Sequence, residues 1–175
     1  MKALVVYESM YGNTAEIGEA ISASLRGRGL EVEGGLVSAI DPSRAGGVDV
    51  LVVGGPTHIH GMSSAKSRRT AANDEKNAFP EPTVEPGLRD WIKRLPPGGD
   101  RPAAAFDTRF DKSVVFTGSA AKGIARRLEG RGFRLVLEPE CFLVSTQNRL
   151  LERETEHAAA WAERLADDLA AREAR

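Results

Sequence analysis

Residues 3–14 decide the fold, and they read Ala-Leu-Val-Val-Tyr-Glu-Ser-Met-Tyr-Gly-Asn-Thr. The apolar run at 3–7 predicts a buried strand, and Ile17, Ile21 and Leu25, four residues apart, predict a helix directly after the loop. The first N–H groups of a helix have no intrahelical partner, and the helix dipole favours an anion beside them. The loop between this strand and this helix therefore predicts a site for a phosphorylated ligand.

The loop offers hydroxyl, amide and backbone N–H groups to such a ligand. The predicted contacts are Ser9, Met10, Tyr11, Gly12, Asn13 and Thr14. Gly12 allows a tight turn, and successive N–H groups in such a turn form an anion nest. The sequence has neither a Walker-type lysine loop nor Gly-x-Gly-x-x-Gly, which argues against nucleotide hydrolysis and against a dinucleotide site. A plain helix start is the alternative, because Asn13 and Glu16 have the spacing of a capping box.

The rest of the chain repeats the strand–helix alternation. Strands are predicted near 2–7, 30–36, 49–53 and 103–106 and within 134–145, where Pro139 is a point of bending; helices are predicted near 14–27, 87–95, 119–131 and 150–172. This alternation gives right-handed crossovers and a parallel sheet. We expect one domain over residues 1–175, an α/β fold with a doubly wound, five-stranded parallel sheet between two helical layers. Ligands of such sheets bind beyond the carboxyl ends of the strands.

Composition excludes several classes of function. The chain has 24 basic and 25 acidic residues, so its net charge of −1 gives no general attraction to nucleic acid or to a membrane surface. No apolar run reaches the length of a membrane span and no secretory segment is visible, which predicts a cytoplasmic protein. A single cysteine, Cys141, excludes an internal disulfide, so any redox chemistry must come from a cofactor.

Residues 62–86 interrupt the alternation. The segment is polar, it carries Pro80, Pro82 and Pro86, and it is too long for an ordinary connection. It predicts a surface insertion with a short helix at about 64–73. It is either a lid over the ligand site or a mobile insertion without a role in the site.

The string Ser9-Met10-Tyr11-Gly12-Asn13-Thr14 resembles the phosphate-binding loop of flavodoxins and flavodoxin-like FMN proteins, which reads Thr/Ser-x-Thr-Gly-Asn-Thr. Tyr11 replaces a threonine, although its phenol can still donate a hydrogen bond. The resemblance covers nearly the whole chain except residues 62–86. It implies strand order 2-1-3-4-5 and FMN as the cofactor, with a loop that wraps the phosphate without a counter-charge.

The resemblance also implies two further loops around the flavin ring. The loop after strand three supplies Pro56, Thr57, His58, Ile59, His60 and Gly61. Gly54 and Gly55 are expected to give this loop backbone freedom. His58 or His60 packs on the ring or hydrogen-bonds it, unless both are ordinary exposed loop residues. A metal held by this pair is disfavoured because no third ligand cluster is visible.

The third loop follows strand four and supplies Phe106, Asp107, Thr108, Arg109 and Phe110. Phe106 and Phe110 are the aromatic candidates for stacking, and Phe106 is also a candidate for the strand core. A cation from Arg109 near the ring would stabilise an anionic reduced flavin. Alternatively, Arg109 forms a surface ion pair with Asp107 or Asp111.

The sequence is compatible with three functions. The leading one is electron transfer through bound FMN, with an unidentified redox partner protein or reductase. The second is an FMN-dependent reductase of quinones or small molecules that uses a reduced nicotinamide, and the third is a flavin-free binding or regulatory module. A phosphorylatable receiver domain shares the topology but needs aspartates where this chain has Glu8 and Gly54-Gly55. Flavodoxins are strongly acidic and dock basic partners, so this nearly neutral chain gives no partner by analogy.

Overall fold

A largely parallel sheet forms the centre of the fold. A computed structural model describes residues 1–58 and 60–174, and its strands are β1 (Lys2–Tyr7), β2 (Glu31–Leu36), β3 (Val50–His58), β4 (Gly61–Met62), β5 (Pro102–Phe110), β6 (Arg134–Leu135) and β7 (Glu140–Val144). The order is β2-β1-β3-β5-β6, β7 also pairs with β5, and β4 pairs antiparallel with β3. Predicted strand four is β5, and predicted strand five is β6 together with β7. The predicted order is therefore confirmed.

The fifth position of the sheet holds two short strands rather than one bent strand. Pro102 and Ala103 of β5 pair with β6, whereas residues 106–110 pair with β7. The Val136 N–H still donates to Ala103 O at 3.0 Å, and residues 137–139 separate the two short strands. Pro139 has no N–H to donate to a neighbouring strand, which explains why the pairing stops and restarts here.

Helices cover both faces of the sheet. The helices are α1 (Asn13–Gly27), α2 (Ala65–Ala72), α3 (Leu88–Lys93), α4 (Val114–Thr117), α5 (Ala120–Gly130) and α6 (Glu154–Glu173), with a 3-10 helix at Pro42–Gly47. α1 and α6 share one core cluster with Val5 and Val52, while α3 and α5 share the other with Leu4 and Leu51. Successive strand residues point to opposite faces, so one apolar run fills both clusters. This is the predicted three-layer arrangement.

The central strands extend further than predicted. β3 continues to His58 and β5 to Phe110, so much of the second and third predicted loops is strand. Gly54 does not supply backbone freedom, because a Cβ at this position would overlap the ring of Phe106 in the strand beside it. The glycine makes room for a core side chain, and the sheet continues past it. The two loops are therefore shorter and more rigidly held than expected.

Two helix starts also differ from prediction. α6 begins at Glu154 rather than near 150, since Asn148 and Arg153 have positive φ angles of 55° and 69° that interrupt a helix. α1 begins at Asn13 behind a left-handed Gly12, and no side chain caps it. The capping box predicted at Asn13 and Glu16 is wrong. No helix in the described part of the chain is both long and apolar enough to cross a membrane.

Candidate functional site

A cleft of about 710 Å³ lies where β1, β3 and β5 end. Its volume is in the range of about 300–1,000 Å³ that is usual for sites of small molecules and cofactors. Eleven predicted residues line it, namely Met10, Tyr11, Asn13, Thr14, Pro56, Thr57, His58, His60, Thr108, Arg109 and Phe110. The structure therefore brings the three predicted segments together at one site, as expected for the carboxyl edge of a doubly wound sheet.

The first loop presents a run of free backbone donors. Gly12 has a φ of 90°, a left-handed conformation that glycine adopts without strain. None of the backbone N–H groups of residues 10–14 donates a hydrogen bond to another described residue. The last two of them belong to the first turn of α1, where the helix dipole favours negative charge. The loop is thus an anion nest at the wall of the cleft.

Side chains of this loop hold it to the rest of the site. The Thr14 hydroxyl is 2.7 Å from the Thr108 hydroxyl of β5, and both residues are buried. The Asn13 amide donates to the carbonyl oxygen of Asn148 at 3.0 Å, which is why it does not cap the helix. The Ser9 hydroxyl accepts a hydrogen bond from Ala15 N–H at 3.3 Å. These contacts fix the loop between α1, β5 and the turn at 145–149.

The phenol of Tyr11 does not stand in for the family's threonine hydroxyl. It donates to the carboxylate of Asp74 at 2.9 Å. Burial, together with this bond to a carboxylate, raises the pKa of the Tyr11 phenol. The prediction that this hydroxyl is available to a ligand is wrong, and Tyr11 instead ties the loop to residues 62–86.

Two predicted contacts of the third segment face away from the cleft. Phe106 is fully buried in the core, edge-to-face with Phe142 and Trp161 at centroid distances of 6.1 and 6.3 Å. Asp107 is also fully buried, and one carboxylate oxygen accepts from Thr57 Oγ1 at 3.0 Å and from the Ala121 N–H at 2.9 Å. Both predictions are corrected for the same reason. β5 extends through these residues, and alternate side chains of a strand enter the two layers of packing.

Three further predicted residues are not cleft-lining side chains. Ser9 is buried beneath the first loop, Gly12 borders a neighbouring groove, and Gly61 belongs to the short hairpin strand β4. Ile59 lies outside the described residues.

Residues 62–86 form one wall of the cleft and also cover the first loop. Ser9 and Thr83 exchange two hydrogen bonds, from Thr83 N–H to Ser9 O at 2.8 Å and from Ser9 N–H to Thr83 Oγ1 at 3.2 Å. The Asn77 amide donates to Met10 O at 2.8 Å. The sequence predicts the short helix in this segment and leaves open whether the segment covers the site; in the structure the segment lines the cleft. The lining residues that were not predicted are Ser64, Lys66, Ser67, Thr70, Ala71, Lys112, Thr117, Val144 and Asn148.

One signal for the α2 contribution was present in the sequence. Ser64, Ser67 and Thr70 are three residues apart, so they lie along one side of a helix. Ser64 is the N-cap of α2 and forms a capping box with Ser67, while all three residues line the cleft. A hydroxyl-bearing helix side of this kind is a polar wall for a ligand.

A buried ion pair attaches this wall to the sheet. Glu8, at the end of β1, is 1% exposed and Arg68 of α2 is 2% exposed. The Arg68 guanidinium lies 3.9 Å from Glu8 Oε2, and that oxygen accepts from the Leu88 N–H at 2.9 Å. Burial raises the pKa of Glu8, although the Leu88 N–H, Ser63 and Arg68 act in the opposite direction. Arg68 also donates to Val84 O at 2.8 Å, so it joins both ends of the segment.

His58 faces the cleft from the end of β3. Its Nδ1 is 3.1 Å from the Ser67 hydroxyl of α2. Burial lowers the pKa of His58, and the neighbouring Arg68 lowers it further. The imidazole is therefore neutral at physiological pH and is a hydrogen-bonding group rather than a charge.

The cleft is basic. Lys66, Arg109 and Lys112 line it, and no aspartate or glutamate is among its described lining residues. Arg109 does not pair with Asp107 or Asp111; it donates to the carbonyl oxygens of Lys112 at 2.6 Å and Phe110 at 3.3 Å. Its charge is therefore not neutralised by the ion pair that the sequence left open. The site suits an anionic ligand.

No protein-family model matches the sequence, and no curated protein sequence matches it. Solved structures do. The chain is similar to flavodoxin 2 of Bacillus cereus, with a TM-score of 0.67 and 22% identity over 95% of this chain and 99% of that chain. It is also similar to a mutant flavodoxin from Pseudomonas aeruginosa, with a TM-score of 0.68 and 17% identity over 97% and 99% of the two chains.

A larger protein contains the same architecture. The rubredoxin oxygen:oxidoreductase of Desulfovibrio gigas matches 99% of this chain with 37% of its own, at a TM-score of 0.62 and 20% identity. Together, these similarities establish that the chain has the flavodoxin-like fold over nearly its whole length. The predicted resemblance to flavodoxins is confirmed at the level of the fold.

Proposed function

We propose that the chain binds FMN in this cleft and transfers electrons through it. The observation that carries the proposal is the run of unpaired N–H groups at residues 10–14 beside a cleft of cofactor size. The phosphate would be held by these N–H groups. The ring would be held by side chains that line the rest of the cleft, namely Pro56, Thr57, His58, His60, Thr108, Arg109 and Phe110.

The described residues fit the group in two respects. A phosphate dianion matches the N–H nest beside the first turn of α1, and no carboxylate is among the described lining residues of the cleft. The Thr14 and Thr108 hydroxyls, the Asn13 amide and the N-terminal turn of α1 surround the same place. The solved structures similar to this chain include several named as flavodoxins. When bound, the flavin supplies the redox chemistry, and the chain's own residues bind and orient it.

The leading experiment compares FMN with riboflavin, which lacks the phosphate. Apo-protein is titrated with each ligand, and quenching of flavin fluorescence gives the two dissociation constants. We expect FMN to bind at least about 100-fold more tightly, which corresponds to about 2.7 kcal/mol for the charge-assisted contacts of the phosphate. Equal affinities would refute the assignment of the first loop.

The variant Asn13→Asp sharpens this test. It is nearly isosteric, and a carboxylate in the first turn of α1 suits the helix dipole. It also removes the hydrogen bond from the Asn13 amide to Asn148 O, so riboflavin serves as the control for a change in the loop itself. The substitution places a negative charge where the phosphate would bind. We expect FMN affinity to fall at least about tenfold while riboflavin affinity changes little. A loss of affinity for both ligands would instead show a disturbed loop.

The role of an electron carrier is separated from that of a reductase by turnover. Holo-protein is mixed with NADH or NADPH and a soluble quinone, and nicotinamide absorbance is followed. We expect negligible steady oxidation, together with rapid reduction once a flavodoxin reductase is added. Sustained turnover with nicotinamide alone would establish the reductase instead. Failure to bind FMN at all would favour the flavin-free module.

A further inference from the structure

The rim of the cleft exposes large apolar side chains. Phe110 is 40% exposed and Val115 is 84% exposed, and they are the large apolar residues with most exposure among those whose side chains are described. Phe110 lines the cleft at the end of β5, and Val115 lies beside the cleft in the short helix α4, whose last residue, Thr117, lines it. Exposed apolar side chains surrounded by polar ones mark surfaces on which proteins bind one another.

Two lysines from different elements stand at the same rim. Lys66 of α2 and Lys112 of the β5–α4 connection are both exposed and both line the cleft. Neither ammonium group has an ion-pair partner among the described residues. Asp111 is an exposed carboxylate on this connection, but it does not line the cleft. The rim is therefore locally positive on a chain whose net charge is −1.

We propose that this rim, made by Lys66, Phe110, Lys112 and Val115, docks an acidic redox partner protein. The inference rests on the proposed function, because an electron carrier must meet its partner at the mouth of the cleft that holds its cofactor. The two apolar side chains supply the centre of a contact, and the lysines supply a charged border. Complementary charge accelerates encounter with an acidic protein, whereas a basic protein would be repelled at the same place.

The observations favour a protein over a small anion. Val115 is almost fully exposed and is not among the residues that line the cleft, so a ligand confined to the cleft leaves it in water. A partner that covers both the cleft mouth and α4 buries Val115 and Phe110 together. Burial of apolar surface of this kind favours association.

The test maps binding by NMR and does not require flavin. The ¹⁵N-labelled apo-protein is titrated at about 20 mM salt, where surface charges are weakly screened, with a plant-type [2Fe–2S] ferredoxin as an acidic probe. Mitochondrial cytochrome c serves as a basic probe. We expect the ferredoxin to perturb amide signals at 64–70 and 109–117. Raising the salt to about 300 mM should weaken this binding several-fold.

Matched charge variants locate the contact. Lys112→Glu should raise the dissociation constant for the ferredoxin about fivefold or more. Lys2→Glu makes the same change in net charge at the amino end of β1, away from the cleft, where exposed Lys2 pairs with Glu31 at 3.6 Å. Once its folding has been checked by a thermal melt, this variant should leave the constant within twofold.

Four results would overturn the proposal: cytochrome c perturbing the rim in place of ferredoxin, ferredoxin signals mapping elsewhere, equal effects of the two variants, or rim signals that move on dilution alone. The last result would identify a second copy of this chain as the occupant. Because these signals are read without FMN, they are independent of the flavin titration. A chain that binds no FMN contradicts the proposed function, whereas a chain that binds FMN but ignores the ferredoxin contradicts only the docking surface.

Discussion

Replacement of Arg68 by methionine should destabilise the protein in a pH-dependent way. Arg68 is 2% exposed, and its guanidinium is the cation beside the buried Glu8 carboxylate at 3.9 Å. Methionine fills much of the same volume with apolar atoms. The variant leaves Glu8 in the core with the Leu88 N–H and Ser63 as its hydrogen-bonding partners and Arg89 as the remaining nearby cation.

The expected loss of stability follows from the interactions that Arg68 makes. Removing one partner of a buried ion pair costs about 3–5 kcal/mol, because the other charge stays buried without compensation. Arg68 also gives up hydrogen bonds to Val84 O and Ser63 Oγ, at about 1 kcal/mol each. Its pair with the half-exposed Glu85 adds little. Packing of the methionine offsets part of the loss, so we expect about 3–4 kcal/mol at pH 8.

The pH dependence has a defined sign. Burial already raises the pKa of Glu8, and loss of Arg68 raises it further. The folded state then keeps a proton that the unfolded chain releases above about pH 4.3. Its free energy of unfolding therefore falls as pH rises, by up to about 1.4 kcal/mol per pH unit, until the folded-state pKa is passed. The loss of stability relative to wild type should be smallest near pH 5, where the loss of the two hydrogen bonds remains, and should grow toward pH 8.

Urea unfolding at pH 5 and pH 8, followed by fluorescence of the buried Trp91 and Trp161, measures this directly. Arg69→Met is the matched control, because Arg69 is an exposed neighbour on α2, and it should change stability by less than about 0.5 kcal/mol. Adding Glu8→Gln to Arg68→Met should remove the excess pH dependence. A loss of unfolding free energy in Arg68→Met that is equal at both pH values, or below about 1 kcal/mol at pH 8, would refute the coupling between Arg68 and Glu8.

Three further changes test the packing and electrostatics around the cleft. Gly54→Ala should cost about 1–3 kcal/mol or more, because its methyl group overlaps a core ring, whereas Gly27→Ala, in open space on α1, should stabilise by about 0.5–1 kcal/mol. Thermal melts compare the two variants. A higher melting temperature for both would show that the core beside β3 rearranges to accept the added methyl group. Thr14→Val should lower the free energy of unfolding by about 1–3 kcal/mol, because it leaves the buried Thr108 hydroxyl unpaired. In urea unfolding, the double variant Thr14→Val, Thr108→Val should recover most of this loss. His58→Gln should flatten the loss of stability below about pH 6.5, since burial lowers the pKa of His58 and only the unfolded chain then takes up the proton. If the urea midpoint falls by the same amount from pH 7 to pH 5 in the wild type and in His58→Gln, that effect is contradicted.

Local sequence pattern predicted the layers of the fold well. The apolar run before residue 8 and the four-residue spacing after it located β1 and α1. These features depend on which side of a single element is apolar. Periodicity reports this property directly.

The strand ends could not be predicted from the same pattern. β3 and β5 extend because they pair with one another, with Gly55 opposite Asp107 and Pro56 opposite Thr108. Glycine and proline disfavour strand by themselves, and the partner strand overrides that preference. The predicted strand therefore ends at Phe106, for which strand core and ring contact are alternatives, and Asp107 is predicted in the loop, whereas both side chains are packed in the layers beside β5.

The position of residues 62–86 was equally beyond local pattern. Its bonds to the first loop join Asn77 to Met10 and Thr83 to Ser9, across 67 and 74 positions. Such contacts have no periodic signature. The false capping box at Asn13 has the same origin, since the true partner of its amide is Asn148, far along the chain.

The ties between this segment and the first loop bear on protein engineering. A designer who shortens the chain to a minimal scaffold would choose residues 62–86 first, as a long polar insertion between two regular elements. Deleting them would remove the acceptor of Tyr11, the donor to Met10 and both bonds of Ser9 to Thr83. The anion nest would lose its outer support, and Glu8 at the end of β1 would lose Arg68, its buried cationic partner. Trimming therefore impairs the binding loop and also destabilises the fold, and grafting of this site to another scaffold requires both pieces of chain.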